Sequence, residues 1–163
     1  MVTRRLLFVS ILLISLMLMP AGAHLLALPN KIGMTAADYF VAQQAYRGWS
    51  YTGVLVLGGI AATAVLAWRV RHSRTMYPPT LAALICLLAT QFIFWAVVFP
   101  GNQATQNWTT VPVNWDSLRM RWEFGHALSA LLTIAALVSL LVTFSRGDPM
   151  PPRNSGQRIA IPA

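Results

Sequence analysis

The chain has 163 residues, 56% of them hydrophobic and 10% charged, with a mean hydropathy of +0.59 and a net charge of +8. Soluble domains carry about 25% charged residues, so this composition excludes an ordinary globular domain and indicates a membrane protein. Eleven of the twelve bases are arginine and stand at the ends of apolar runs, which excludes the clustered basic face of a nucleic-acid reader.

Four runs free of Lys, Arg, Asp and Glu are long enough to cross a bilayer: residues 6–28, 50–68, 80–99 and 124–144. A hydrocarbon core about 30 Å thick needs about 20 residues as helix. Backbone groups in lipid must pair within the segment, so each run is expected to be helical. The start of the chain also reads as a secretory signal, with Arg4-Arg5, an apolar stretch and Ala21-Gly22-Ala23 as a cleavage motif. The apolar pattern continues to Leu28, which favours an uncleaved first span.

After the first span comes a loop in which Thr35 can cap a short amphipathic helix over 38–47, with Asp38 three residues on. Gln43 and Arg47 would share a face of it. The link between the second and third spans carries Arg69, Arg71, His72 and Arg74, with Pro78-Pro79 marking the next helix entry. His72 reads there as a solvated residue. In the third span, Cys86 reads as a small packing residue, and as the single cysteine it can form neither a disulfide within the chain nor a Cys-based zinc site. Gln91, one turn from Trp95, is either a helix–helix hydrogen bond or the floor of a pocket.

The second long loop, 100–123, carries Asn107-Trp108-Thr109, a glycosylation pattern relevant only in a eukaryotic secretory setting. Asn114 is a plausible cap, so the fourth helix is expected to begin near Trp115. Trp115, Arg119, Trp122 and His126 then form one stripe. Interfacial anchoring would account for Trp108, Trp115 and Trp122 as an aromatic belt. The tail 147–163, rich in Pro, Gly and Arg, reads as disordered.

Eight bases flank one side of the spans: Arg4, Arg5, Arg69, Arg71, Arg74, Arg146, Arg153 and Arg158. Four flank the other: Lys31, Arg47, Arg119 and Arg121. The positive-inside rule then makes both termini cytoplasmic. The expected fold is all-α, an integral membrane four-helix bundle formed by residues 1–146, with 147–163 as a cytoplasmic tail, in a bacterial inner membrane.

His24, Glu123 and His126 are the residues with chemistry. The histidines lie a few residues inside the outer ends of the first and fourth spans, within ~6 Å of one plane at 1.5 Å per residue. Ionisable groups at such depth are costly and usually face the bundle interior. Three readings stand side by side. Glu123 pairs with Arg119 one turn earlier and the histidines hydrogen-bond across helices. Or the carboxylate orients His126 for acid–base work. Or His24, Glu123 and His126 bind a metal, a mononuclear iron or copper. With one Glu-x-x-His copy and no second bundle carboxylate, a di-iron site is excluded by counting.

The strings AHLLALPNK, AQQAYRGW, FWAVVFPGNQATQNWTTVP and WDSLRMRWEFGHA resemble the anthrone oxygenase-like family of small four-span membrane proteins, largely a domain of unknown function, over about 24–141. The resemblance implies four spans and a site drawn from His24, Asn30, Asn102, Trp122 and His126. It also implies oxidation of a lipophilic aromatic or quinone-like molecule without an obvious cofactor motif. In that scheme His126, oriented by Glu123, acts as base, His24 stabilises the oxyanion and Trp122 stacks on the ring. Asn30, Gln91, Asn102 and Trp122 would contact the substrate. The alternative is a non-catalytic envelope accessory or scaffold protein, in which Trp-rich outer loops bind a partner. A transporter is disfavoured, because four short spans contain no broken-helix pair, although a homo-oligomer could supply what one chain lacks.

Overall fold

A computed structural model of the chain describes residues 2–146; the expected tail, 147–163, lies outside the described residues. Among these, all regular structure is helical. The elements are α1 (Val2–Lys31), α2 (Ala36–Gln43), α3 (Gly53–Val70), α4 (Tyr77–Ile93), α5 (Phe99–Ala104) and α6 (Trp115–Ser145). Tight helical turns at Gln44–Tyr46 and Trp49–Thr52 lead into α3, and a π-helical turn at Phe94–Val98 joins α4 to α5.

Four helical stretches are long and apolar enough to cross a membrane: Thr3–Lys31, Trp49–Val70, Tyr77–Ala104 and Trp115–Ser145. Each expected span falls within one of these helices, and three run further at the bundle end that holds Lys31 and Trp115. The first runs past Leu28 to Lys31, and the third continues through the π-helical turn to Ala104. The fourth starts at Trp115, as its pattern requires. Pro78 and Pro79 open α4, where a missing N–H costs nothing because the first turn has no partner for it.

The helices close a ring, α1 against α3 and α6, and α4 against α3 and α6. The first and fourth spans are therefore neighbours. The ring is apolar outside: Phe8, Leu26, Val54, Leu57, Phe92 and Phe124 are all more than half exposed. Its interior holds Leu7, Ile14, Leu66, Leu87, Ala136 and Leu140, together with buried Ser10, Thr63, Thr80, Thr133 and Thr143. Thr80 and Thr143 meet across helices at 3.2 Å. The large apolar side chains outside are the opposite of a water-soluble bundle's polar exterior, and the small hydroxyls among the apolar interior suit close helix packing in lipid.

Gly125 lets α6 approach the π-helical turn. A Cβ there would stand 3.0 Å from Val98 Cγ2 and 3.4 Å from Val97 Cγ1. Gly125→Val is expected to destabilise the bundle by about 1–3 kcal/mol through overpacking, read as a lowered melting temperature in mild detergent. Gly125→Ala should cost less.

The segment between α1 and α3 folds back over the bundle end as a lid. Thr35 caps α2 as its spacing suggests, accepting from the Asp38 N–H at 3.3 Å while its own hydroxyl donates to Asp38 Oδ2 at 2.6 Å. The expected helix over 38–47 stops at Gln43, and the tighter turn over Gln44–Tyr46 rotates Arg47 away from it. Gln43 points inward, whereas exposed Arg47 donates to Gln44 Oε1 at 2.8 Å. Gly48, at φ 87°, reverses the chain into the next turn.

Candidate functional site

Packing α1 against α6 brings His24 and His126 together. Their rings stack with centroids 4.1 Å apart and planes 22° from parallel. Trp122, one turn before His126, meets that ring at 4.2 Å and His24 at 5.0 Å. Tyr46 and Trp49 from the lid stand 4.4 and 5.5 Å from His24. The two histidines thus sit in an aromatic wall built from α6 and the lid. His24 is buried, and its Nδ1 has no hydrogen-bond partner.

Glu123 does not join them. It is 1% exposed, and Oε1 takes Lys31 Nζ at 2.6 Å and the Tyr39 hydroxyl at 2.8 Å. Gln43 closes the circuit, donating to Tyr39 Oη at 2.7 Å and accepting from Lys31 at 3.3 Å. Burial, followed by the Glu123 charge, raises the Tyr39 phenol far above its ordinary pKa, so the proton stays on Tyr39 and is donated to the carboxylate. The Lys31 ammonium also lies 4.6 Å from the Tyr46 ring, 4.9 Å from Trp122 and 5.6 Å from Tyr39, within cation–π range of all three.

The expected Glu123–Arg119 pair is therefore replaced by Glu123–Lys31, and Glu123 does not orient His126 through a hydrogen bond. Arg119 is engaged elsewhere: it pairs with Asp116, donates to the Met34 carbonyl at 2.7 Å and lies 4.7 Å from the Trp115 ring. Its role is to hold the lid. By sequence Lys31 is one of the bases flanking the spans, and the fold makes it central. One signal for it exists in the sequence: it is the single lysine among twelve bases.

Asn102 enters the site as a clamp. Its Oδ1 accepts from Trp108 Nε1 at 3.0 Å and from Trp122 Nε1 at 2.8 Å. Trp108 and Trp122 are each 4% exposed, so neither belongs to an interfacial belt; both are packed between lid and bundle. Trp108 is delivered by a left-handed turn in which Gln106, Asn107 and Trp108 have φ of 50°, 56° and 62°. Such a conformation costs roughly 1–2 kcal/mol per residue. It is held by Thr105 Oγ1 accepting from the Trp108 N–H at 3.0 Å and by Gln44 donating to the Trp108 carbonyl at 2.8 Å. Asn114 precedes α6 without a side-chain cap bond. Asn30 is exposed at the end of α1. Gln91 is not brought to this cluster by any hydrogen bond and meets Thr90 Oγ1 on its own helix at 3.5 Å.

A metal fits poorly. Among the described residues no three His, Cys, Asp or Glu side chains form a ligand group. Imidazole lone pairs lie in the ring plane, so two rings stacked 22° from parallel cannot both aim at one ion without turning. What the arrangement offers chemically is a paired base in an aromatic wall, next to a buried ion pair.

Fold and site together define a class: an all-helical chain with four helices of membrane-spanning length, capped at one end by an aromatic and ionic cluster. Comparison with protein families, with curated proteins and with solved structures finds no match for this chain.

Proposed function

We propose that this chain is an integral protein of the bacterial inner membrane, with both termini cytoplasmic, that binds a lipophilic aromatic or quinone-like molecule at its outer end and exchanges a proton with it. The apolar exterior supports membrane residence. Arg4, Arg5, Arg69, Arg71, Arg74 and Arg146 gather at the bundle end opposite the lid, which supports the orientation. The observation that carries the function is the His24–His126 stack within the Tyr46, Trp49 and Trp122 rings. Flat apolar surface binds an aromatic ring, and an imidazole pair accepts its proton.

In this reading His126 takes a proton from a phenolic hydroxyl or an activated methylene, and His24 supports the oxyanion. A carbanion so formed can add dioxygen and lose water, CH2 + O2 giving C=O + H2O. The resemblance to the anthrone oxygenase-like family supports that reaction class. Glu123 is tied to Lys31 and Tyr39 and is not a partner of His126.

The test is turnover, and saturable quenching of tryptophan fluorescence, for purified full-length protein titrated with an anthrone. His24→Ala and His126→Ala are each expected to lower turnover by about 10²–10⁴-fold. Unchanged turnover and binding in both variants would sink the proposal. The second reading, an envelope accessory protein, is favoured by Val111 and Val113, exposed on either side of Pro112 in the outer loop. A stoichiometric partner retained in mild detergent and lost on Val111→Ser with Val113→Ser would support it.

A further inference from the structure

The Glu123 carboxylate is held from one side. Oε1 accepts both Lys31 and Tyr39, whereas Oε2, equally buried, has no hydrogen-bond partner. A carboxylate has about four acceptor positions, and a buried one left empty is costly enough that native structures rarely tolerate it. Two of the four contacts in the circuit Gln43–Tyr39–Glu123–Lys31 fix the carboxylate, both through Oε1, so rotation to satisfy Oε2 would break them. The N–H groups of Lys31 and Gln43 that the circuit does not use do not reach Oε2. Tyr46 and Trp122 are shared neighbours: the Lys31 ammonium lies 4.6 and 4.9 Å from their rings, and the His24 ring 4.4 and 5.0 Å from them. His24 Nδ1 is a second buried atom without a partner. The ammonium that holds Glu123 Oε1 and the His24 ring thus border the same pair of aromatic rings.

We infer that Glu123 Oε2 is the ligand-facing acceptor of this site, and that the molecule it takes is an aromatic bearing a free hydroxyl, of the phenol or hydroquinone class, rather than the corresponding quinone. This rests on the aromatic-binding reading above. An O–H donor completes the carboxylate, while a carbonyl oxygen in the same place sets one acceptor against another. Charge-assisted hydrogen bonds are about twice as strong as neutral ones. A site built to hydrogen-bond a hydroxyl rejects the analogue without it far more strongly than an apolar pocket does.

Anaerobic titration calorimetry on the full chain in mild detergent tests this, with tetramethylhydroquinone, tetramethylquinone and the hydroquinone dimethyl ether as probes. The wild-type protein is expected to bind the hydroquinone at least about tenfold more tightly than either analogue. The double variant K31M/E123Q, which removes both charges together, is expected to bind all three alike. Equal wild-type affinity for the three, or a preference that survives in K31M/E123Q, overturns the inference and leaves the aromatic-binding function standing. Failure of the wild type to bind any of them overturns both. The wild-type comparison decides alone if the double variant does not fold.

Discussion

Lys31→Met lowers the stability of the folded chain by about 3–5 kcal/mol, because it leaves Glu123 charged and buried without its cation. Lys31 and Glu123 have 5% and 0% of their side-chain surface exposed and stand 2.6 Å apart, so solvent cannot replace either partner. The loss also removes the cation from the faces of Tyr46 and Trp122 and one hydrogen bond to Gln43. Glu123→Gln leaves the complementary orphan, a buried ammonium, and is expected to cost a similar amount. The pair behaves differently from its halves. K31M/E123Q puts neutral groups of similar size where the charges were, and breaking even with the wild type is the common result for such replacements. Denaturant titration in mild detergent followed by far-UV circular dichroism measures all three proteins. A single-variant loss well under 1 kcal/mol would show that the pair is hydrated and that the lid is not seated as described.

The second large effect is at Trp122. Trp122→Ala is expected to destabilise the chain by about 3–5 kcal/mol, the range for truncating a buried aromatic side chain. The indole is the point where lid, α5–α6 loop and both histidines meet. It touches His24, His126, Tyr46 and Trp108, backs Lys31 and donates to Asn102. Trp122→Phe separates the terms. It keeps most of the ring and loses only the N–H bond, for which about 1 kcal/mol is expected. Ordering alanine well below phenylalanine in the same denaturant titration would confirm that packing dominates. Equal losses would assign the effect to the Asn102 clamp.

Much of this was legible along the chain. Spans follow from lengths of apolar sequence, because a backbone in lipid has few alternatives. The Thr35 cap follows from a hydroxyl and an acid three residues apart. The start of α6 at Trp115 follows from a stripe of Trp115, Arg119, Trp122 and His126 that only a helix aligns, and the stripe does face inward as one surface. The shared depth of His24 and His126 follows from residue counting at a constant rise.

Depth is one coordinate, and the site needed the other two. A sequence gives how far along a helix a residue lies, but its direction around the axis matters only relative to a neighbour that packing chooses. For Glu123 the nearest cation in sequence is Arg119, and local spacing favours that pair. Arg119 instead reaches Asp116 and the Met34 carbonyl, and the carboxylate takes a lysine from the end of another helix. Tyr39 and Gln43 reach it only because the turns after α2 fold the lid inward, bringing residues 84 apart in the chain to 2.8 Å. The sequence around Trp108 suits an interfacial anchor, but a left-handed turn held by Thr105 and Gln44 buries it. Bilayer and backbone hydrogen bonding are local constraints and can be read from a string of residues. The Lys31–Glu123 circuit is a sum of long-range contacts, and it exists only once the lid has closed on α1 and α6.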